Sequence, residues 1–284
     1  DRVTGKLEAW APHAEVIHVE IDPSCVSKNV FADCAILGHV ADVLEDLEPH
    51  LEPKDTDAWL EQIDGWRSQV EVTPSRTDGK LGPLEVVHKL GAKAGDQGVL
   101  TTDVGQHQMW AAQGFGFDRT RSHITSGGLG TMGFGFPAAI GAALGLRGTD
   151  AVVVSINGDG GFLMNCQELG VAAKHRLPIK LAILNNSRLG MVRQWQELFF
   201  GERYSETDTS DTNPDFVALA EAFGCVGMRA STPDEADAVI EAAWQVTDRP
   251  VLMEFVVPNE EMVFPMVPAG AASDDMILKR FSED

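Results

Sequence analysis

The sequence of 284 residues has little positive charge, no cysteine pairs and no long apolar runs. Lysine and arginine number 22 against 43 acidic residues, a net charge of −21. This balance argues against a nucleic-acid partner, because a phosphate backbone would be repelled. The four cysteines form no Cys-x-x-Cys pair, so we expect reduced thiols, mostly buried, in a cytosolic-type protein. No run is apolar enough to cross a bilayer and no secretory signal is visible, so we expect no membrane partner.

The excess acid is spread along the chain and does not form a tail. A dense carboxylate surface is typical of adaptation to high salt, and equally of an acidic surface that aids solubility. Composition leaves both interpretations open. The sequence begins with Asp1 and not with methionine, which we expect of a processed, truncated or partly represented chain.

The strongest pattern lies at residues 152–196. An apolar run at 152–156 is typical of a strand buried on both faces, and it ends in the turn GDGG at 158–161. A helical pattern follows from Phe162 to Ala173, and a second apolar run at 181–184 ends in Asn185 and Asn186. This pattern predicts a β-α-β unit with a polar residue at the carboxyl end of each strand, where parallel sheets bind ligands.

The residue types at these two strand ends are those of a metal and diphosphate site. Asp159 offers a carboxylate, Asn186 a side-chain carbonyl, and Arg188 a backbone carbonyl, all hard oxygen ligands suited to Mg²⁺ shared with phosphates. The glycines let the backbone approach a diphosphate, and N–H groups at the start of the helix face it. Either motif alone is more often a simple turn. Their separation of 27 residues, one helix plus one strand, favours the cofactor site.

Strands alternate with helices over the rest of the chain, which predicts an α/β fold with a parallel sheet covered by helices on both faces. We divide it into the end of a Rossmann-like middle domain at 1–48, a connector at 49–80, the main domain at 81–258, and a tail at 259–284. The tail is apolar between two prolines, so we expect it to fold over a cleft. The other predicted strands are 16–22, 35–40, 98–103, 226–230 and 250–257, and the predicted helices are 41–51, 55–72, 83–95, 137–146, 214–224 and 233–246.

Five segments resemble the catalytic subunit of acetohydroxyacid synthases, also called acetolactate synthases. They are VGQHQMW at 104–110, SGGLGTMGFGFPAAIG at 126–141, GDGGFLMNCQEL at 158–169, NNSRLGMVRQWQ at 185–196 and PMVP at 265–268. The resemblance implies the thiamine diphosphate-binding fold and a three-domain subunit, of which this chain holds the end of the FAD-binding middle domain and the whole diphosphate-binding domain. It also implies decarboxylation of pyruvate and its condensation with pyruvate or 2-ketobutyrate, in branched-chain amino-acid biosynthesis.

The resemblance assigns roles to matching positions. Some of these residues, such as His107 or the methionines, would alone be read as packing side chains. His39 stands where the family usually has an acid, and Gly161 where many members have serine. Implied roles are Mg²⁺ binding for Asp159, Asn186 and the Arg188 carbonyl; diphosphate contact for Gln106, His107, Gly160 and Gly161; further cofactor contact for Gly130, Met132, Gly190 and Met191; the substrate entrance for Trp195; and FAD contact near Asp1 and Arg2 and at Glu20, Ile21, His39 and Val40.

No catalytic acid or base can be assigned in residues 1–284. The resemblance implies that the activating glutamate belongs to a pyrimidine-binding domain, which no stretch here resembles. It further implies thiamine diphosphate, Mg²⁺ and FAD as cofactors, a homodimer or homotetramer, a regulatory small subunit as candidate partner, and location in the cytoplasm or a plastid stroma.

Two alternative functions stay open. One is another thiamine diphosphate-dependent decarboxylase or carboligase, against which Trp195 and PMVP argue, and the other is a non-catalytic cofactor-binding half-module.

Overall fold

The computed structural model describes residues 4–68 and 78–279, which form two compact units. The first unit comprises residues 4–68 and 264–279, and the second comprises residues 78–263. Asp1 and Arg2 lie outside the described residues.

The first unit contains a small parallel sheet. Strand β1 (Ile17–Glu20) pairs in register with β2 (Cys34–Leu37), and helices α1 (Val40–Leu47) and α2 (Asp57–Arg67) follow. Large apolar side chains of the sheet and of α1 are exposed, among them Ile17 at 68% and Leu37 at 60%. This sheet therefore leaves apolar surface that two strands and their helices do not cover.

The second unit is built on a six-stranded parallel sheet. Its order is β4-β3-β5-β6-β8-β7, and every neighbouring pair is parallel. The strands are β3 (Gly98–Thr102), β4 (His123–Thr125), β5 (Val152–Gly158), β6 (Lys180–Asn185), β7 (Val226–Ala230) and β8 (Val251–Val256). The helices are α3 (Pro83–Ala94), α4 (Gln106–Gly114), α5 (Gly135–Gly145), α6 (Asp159–Leu163), α7 (Leu169–Lys174), α8 (Gly190–Phe199), α9 (Phe216–Ala222) and α10 (Pro233–Gln245).

Alternating strand residues enter two separate cores. On β6, Ala182 and Leu184 pack with side chains of α3, α4 and α10, whereas Leu181 and Ile183 pack with those of α5, α7 and α9. A strand with apolar residues at every position is buried on both faces, and all six residues of β6 are buried. The predicted fold class, a parallel sheet with helices on both faces, is confirmed.

The order of the strands sets where a ligand can bind. β4, the next strand in the chain after β3, lies on one side of β3, and the strand that follows, β5, lies on the other side. Such a reversal opens a crevice outside the carboxyl ends of the strands. The turns after β3, β5 and β6 meet at this edge, and these turns carry the predicted diphosphate and metal residues.

Two local expectations differ from the structure, and one strand was not expected. The helical pattern from Phe162 to Ala173 is not one helix, because α6 ends at Leu163 and a 3₁₀ turn at Cys166–Glu168 separates it from α7. The Asn165 amide there donates to the Gly133 carbonyl oxygen at 2.9 Å, a contact outside the helix. Strand β4 was not predicted, since three residues carry no periodicity. All four cysteines are free and lie in the described ranges, but among them only Cys225 is buried.

Within residues 4–68 and 78–279, no helix combines the length and the apolar character that a bilayer crossing needs.

Candidate functional site

A cleft of about 220 Å³ lies at the carboxyl ends of β3, β5 and β6. Its wall joins three turns that are far apart in sequence, which is what the reversal of strand order permits. The cleft collects most of the predicted site residues: Gln106, His107, Met132, Asp159, Gly160, Gly161, Asn186, Arg188, Gly190 and Met191.

The turn after β3 depends on Gly105. Its φ of +139° lies in a region that side chains disfavour, and a Cβ there would come within 3.2 Å of the His107 ring. This turn starts α4 directly with Gln106 and His107, both buried. The glycine therefore allows two polar side chains to enter the cleft at the end of a buried strand.

His107 is a buried histidine with an unused ring nitrogen. Its exposed fraction is 6%, and burial lowers the pKa of the imidazole to about 3, so the ring is neutral. Its Nε2 has no hydrogen-bond partner among the described residues. Buried polar atoms are almost always paired, so an unpaired nitrogen in the wall of a cleft is suited to a ligand oxygen.

Asp159 is the first residue of α6 and is only 1% exposed. Its Oδ2 accepts hydrogen bonds from the Thr209 hydroxyl at 2.8 Å and from the Asn213 amide at 2.7 Å. Burial raises the pKa of this carboxyl above its usual value, while the two donors act in the opposite direction. A buried carboxylate of this kind is suited to bind a cation, which would offset the cost of its burial.

The turn after β6 holds the second group of oxygen atoms. Asn186 is buried, and its Oδ1 accepts from the Arg188 amide at 3.1 Å. Ser187 between them has φ +54°, a left-handed conformation that makes the tight turn. The Arg188 guanidinium forms an ion pair with Asp208, and Arg188 also lines the cleft.

Two buried glutamines connect the turns. Gln106 Nε2 donates to Gln194 Oε1 at 2.9 Å and to the Glu261 carbonyl at 2.8 Å. Asn186 Nδ2 donates to Gln106 Oε1 at 3.3 Å. Gln194, on α8, also donates to the Val263 carbonyl and accepts from its amide, at 3.0 and 2.9 Å. One hydrogen-bonded amide network thus connects the turn after β3, the turn after β6, α8 and residues 261–263.

The site residues present fit a diphosphate cofactor with a divalent cation. Side chains at Gly160, Gly161 or Gly190 would collide with Leu189, Asp103 or Gln106, so close packing requires glycine at these positions. All three glycines line the cleft, where an anion can approach their backbones. Within the described part of the chain, no three His, Cys, Asp or Glu side chains gather into a metal cluster. A cation at Asp159 would therefore rely on amide, carbonyl and phosphate oxygens, which is the ligand set typical of Mg²⁺.

The predicted substrate-entrance residue, Trp195, lies beside this cleft. Met191 lines both the cleft and an adjoining one of about 520 Å³, whose wall includes Trp195. Trp195 is half-buried, with its ring edge-on to Phe199 at 5.3 Å. Gly130 is not in the wall of either cleft, but its backbone is close to Val104, which lines the first. Its φ of +73° favours glycine, so its role is in shaping the loop before α5.

Four of the predicted FAD residues belong to the described part of the first unit. Glu20 ends β1, and its Oε1 accepts from the backbone amides of Ile21 and Asp22 at 2.9 and 3.1 Å. His39 caps α1, with Nδ1 accepting from the Ala41 amide at 3.2 Å. Ile21 and Val40, the other two, are 70% and 53% exposed. Both polar side chains are thus engaged locally, at the carboxyl ends of neighbouring strands.

Four buried or half-buried residues of the site in the second unit were not predicted from the sequence. Thr209 and Asn213 bind Asp159, Gln194 connects α8 to the β3 turn, and Asp103 packs behind Gly161. Asp103 is the last residue of a predicted strand, so its position was a usable signal. Thr209 and Asn213 lie in an irregular stretch 50 and 54 residues after Asp159, where no pattern marks them.

A parallel α/β domain with a glycine-lined cleft and two oxygen-bearing side chains at its switch point is typical of a domain that binds a diphosphate cofactor. Residues 103–255 match the family of thiamine pyrophosphate enzymes, C-terminal TPP-binding domain, and the chain belongs to this family. Thiamine pyrophosphate is the same compound as thiamine diphosphate.

The curated relatives share one activity name. The chain is 46% identical to acetolactate synthase of Mycobacterium bovis over 290 residues. This alignment covers 99% of the chain and 47% of that protein. It is 46% identical over 279 residues to acetolactate synthase isozyme 2 large subunit of Escherichia coli, covering 98% and 50%. With the large subunit of Haemophilus influenzae the identity is 40% over 290 residues, covering 100% and 50%. The chain therefore spans about half the length of these relatives.

Proposed function

We propose that this chain is the cofactor-binding half of an acetolactate synthase large subunit. The complete enzyme would decarboxylate pyruvate and condense the product with a second 2-keto acid, pyruvate or 2-ketobutyrate, in branched-chain amino-acid biosynthesis. The observation that carries the proposal is the identity of 40–46% to acetolactate synthases over nearly the whole chain. Similarity confined to the cofactor motifs would support cofactor binding but not this activity.

The cleft supplies the residues that would hold the diphosphate end of the cofactor. His107 would donate from its unpaired Nε2 to a phosphate oxygen, and the amides beside Gly160 and Gly161 would face the same anion. Asp159, Asn186 and the Arg188 carbonyl would bind Mg²⁺, which neutralises part of the phosphate charge. When bound, thiamine diphosphate supplies the electron sink for decarboxylation.

The apolar residues of the site would orient the cofactor and exclude water. Met132 and Met191 line the cleft, and Met191 continues into the cleft that contains Trp195. We propose Trp195 as a residue of the substrate entrance, where its ring would contact the alkyl group of the second keto acid. An apolar wall keeps competing water from the reacting atoms.

No residue of the chain is assigned as the catalytic acid or base. We propose that a glutamate of a pyrimidine-binding domain, from another part of the enzyme, completes the site. Association as a homodimer or homotetramer, and binding of a regulatory small subunit, belong to the same proposal. The large-subunit names of two relatives support it.

We also propose the division into the end of a middle domain at 1–48, a connector at 49–80, a diphosphate-binding domain at 81–258 and a tail at 259–284. The exposed apolar side chains of the β1–β2 sheet support its membership of a larger domain. FAD binding at Glu20, Ile21, His39 and Val40 is the corresponding cofactor proposal. These residues flank the carboxyl ends of two parallel strands, where dinucleotides bind in Rossmann-like domains.

The test is a product assay on the natural full-length protein with thiamine diphosphate, Mg²⁺ and FAD. Pyruvate alone should give acetolactate, and pyruvate with 2-ketobutyrate should give acetohydroxybutyrate as well. Formation of free acetaldehyde in place of the condensed acids would assign a decarboxylase instead. Binding of the cofactor without turnover of either keto acid would contradict the proposed activity.

A further inference from the structure

The two oxygens of the Asp159 carboxylate are bound differently. The Thr209 hydroxyl and the Asn213 amide both donate to Oδ2, at 2.8 and 2.7 Å, and neither donates to Oδ1. Hydrogen bonds to a carboxylate are strong and directional. Two side-chain donors on one oxygen fix the rotation of the carboxylate, and Oδ1, which receives neither of them, is the oxygen that can face a cation.

The segment that supplies these donors, residues 207–213, is itself bound to the turn after β6. The Leu189 amide donates to the Thr207 carbonyl at 2.8 Å, and the Thr209 amide donates to the Ser187 carbonyl at 3.1 Å. These bonds bracket Arg188, whose side chain pairs with Asp208 of the same segment. Residues 207–213 therefore hold both Asp159 and the turn that carries the other two proposed ligands.

Asn213 connects this segment to the interior of the domain. Its amide lies 3.4 Å from Asn185 Oδ1, and Asn185 Nδ2 donates to the buried Glu254 at 2.7 Å. The Glu254 carboxylate also accepts from Arg229 Nε at 2.7 Å. The position of Asn213 is thus fixed by groups on β6, β7 and β8, so that the donor pair is held independently of any ligand.

We infer that Thr209 and Asn213 are positioning residues of the cation site, which hold the Asp159 carboxylate with Oδ1 directed to the metal. The inference rests on the proposed function, because it requires Mg²⁺ at Asp159. Groups that orient a metal ligand through its second atom typically change metal affinity by about 10–100-fold when removed. A role in folding alone would change stability without changing the metal requirement.

The test uses the natural full-length protein and measures the Mg²⁺ concentration that half-saturates thiamine diphosphate binding. Trp110 lines the cleft, so tryptophan fluorescence can report the cofactor, with calorimetry as a second readout. Thr209→Val removes the hydroxyl at nearly constant volume, and Thr209→Ser keeps it. We expect Thr209→Val to raise the half-saturating Mg²⁺ concentration about 10–100-fold, with recovery of cofactor binding at high Mg²⁺, and Thr209→Ser to stay close to the parent.

Ser210→Ala is the matched control in the same segment. Ser210 is exposed and its hydroxyl bonds Asp208, not Asp159, so its Mg²⁺ requirement should equal that of the parent. If Thr209→Val does not fold, Asn213→Ala removes the other donor and is measured in the same way. A lower unfolding midpoint with an unchanged Mg²⁺ requirement in a folded variant would overturn the inference. Cofactor binding by the parent protein that does not depend on Mg²⁺ would instead overturn the metal assignment in the proposed function.

Discussion

Asp103 should make the stability of the second unit depend on pH in an unusual direction. The residue follows β3 and has no exposed surface, and burial raises the pKa of its carboxyl from 3.8 to about 6. The Gly135 amide donates to Oδ1, which opposes the rise, but Oδ2 has no partner among the described residues. The folded protein therefore keeps this proton up to about pH 6, whereas the unfolded chain loses it near pH 4.

The sign of the effect follows from this order of pKa values. Stability from Asp103 is fully present below about pH 4, and it is lost as the pH rises from about 4 through 6. A shift of this size corresponds to about 3 kcal/mol. Asp103→Asn cannot ionise and keeps an oxygen for the Gly135 amide. Between about pH 4 and pH 7.5, the variant should therefore gain about 3 kcal/mol of unfolding free energy relative to the parent.

Urea denaturation of the metal-free and cofactor-free protein across this pH range measures the difference. Asp118→Asn, which removes an exposed carboxylate of the same unit, is the control and should follow the parent at each pH. The comparison depends on the change with pH, so any constant effect of the amide cancels. A difference between Asp103→Asn and the parent that is the same at pH 4 and pH 7.5 would refute the reasoning.

Three further predictions concern the cleft. Asp159→Ala, or chelation of Mg²⁺, should remove most thiamine diphosphate binding, because the charged ligand is lost; equal affinity with and without chelator in a titration would contradict the metal assignment. Trp195→Leu in the complete enzyme should reduce the preference for 2-ketobutyrate over pyruvate by about 1–3 kcal/mol, and an unchanged product ratio in a competition assay would place the ring in packing alone. Gly190→Ala should lower stability by about 1–3 kcal/mol, because its Cβ would displace the Gln106 and Asn186 amides; a parent-like melting temperature would show that the network can adjust.

The parts of the site that follow strands could be predicted from the sequence. The apolar runs of β5 and β6 end directly at the GDGG turn and at Asn186, and parallel strands bring their carboxyl ends together whatever helix joins them. The prediction of a single joining helix was wrong, because its 3.6-residue pattern continues across Asn165, where the helix is interrupted and the Asn165 side chain bonds Gly133 instead. Periodicity records which face is apolar, not whether the backbone hydrogen bonds are continuous.

The groups that support the site could not be predicted. Thr209 and Asn213 reach Asp159 from an irregular segment, and their position depends on pairing with the turn after β6 and on the buried Glu254. Likewise, the Gln106–Gln194 bond joins the β3 turn to α8 across 88 residues. Such contacts depend on tertiary packing, and a single sequence contains no local signal for them.

The position of β8 has a consequence for how the domain is made. β8 is the last of the strands in the described residues, yet it lies between β6 and β7 and pairs with both. During synthesis, the edge of β6 that pairs with β8 therefore stays unpaired until residue 256 has left the ribosome. Until then β7 also lacks the strand with which it pairs. A chain truncated after α10 would lose the docking site of β7 as well as its last strand. It would also expose β6, which leads into Asn186, to pairing with other nascent chains, so we expect such truncations to aggregate.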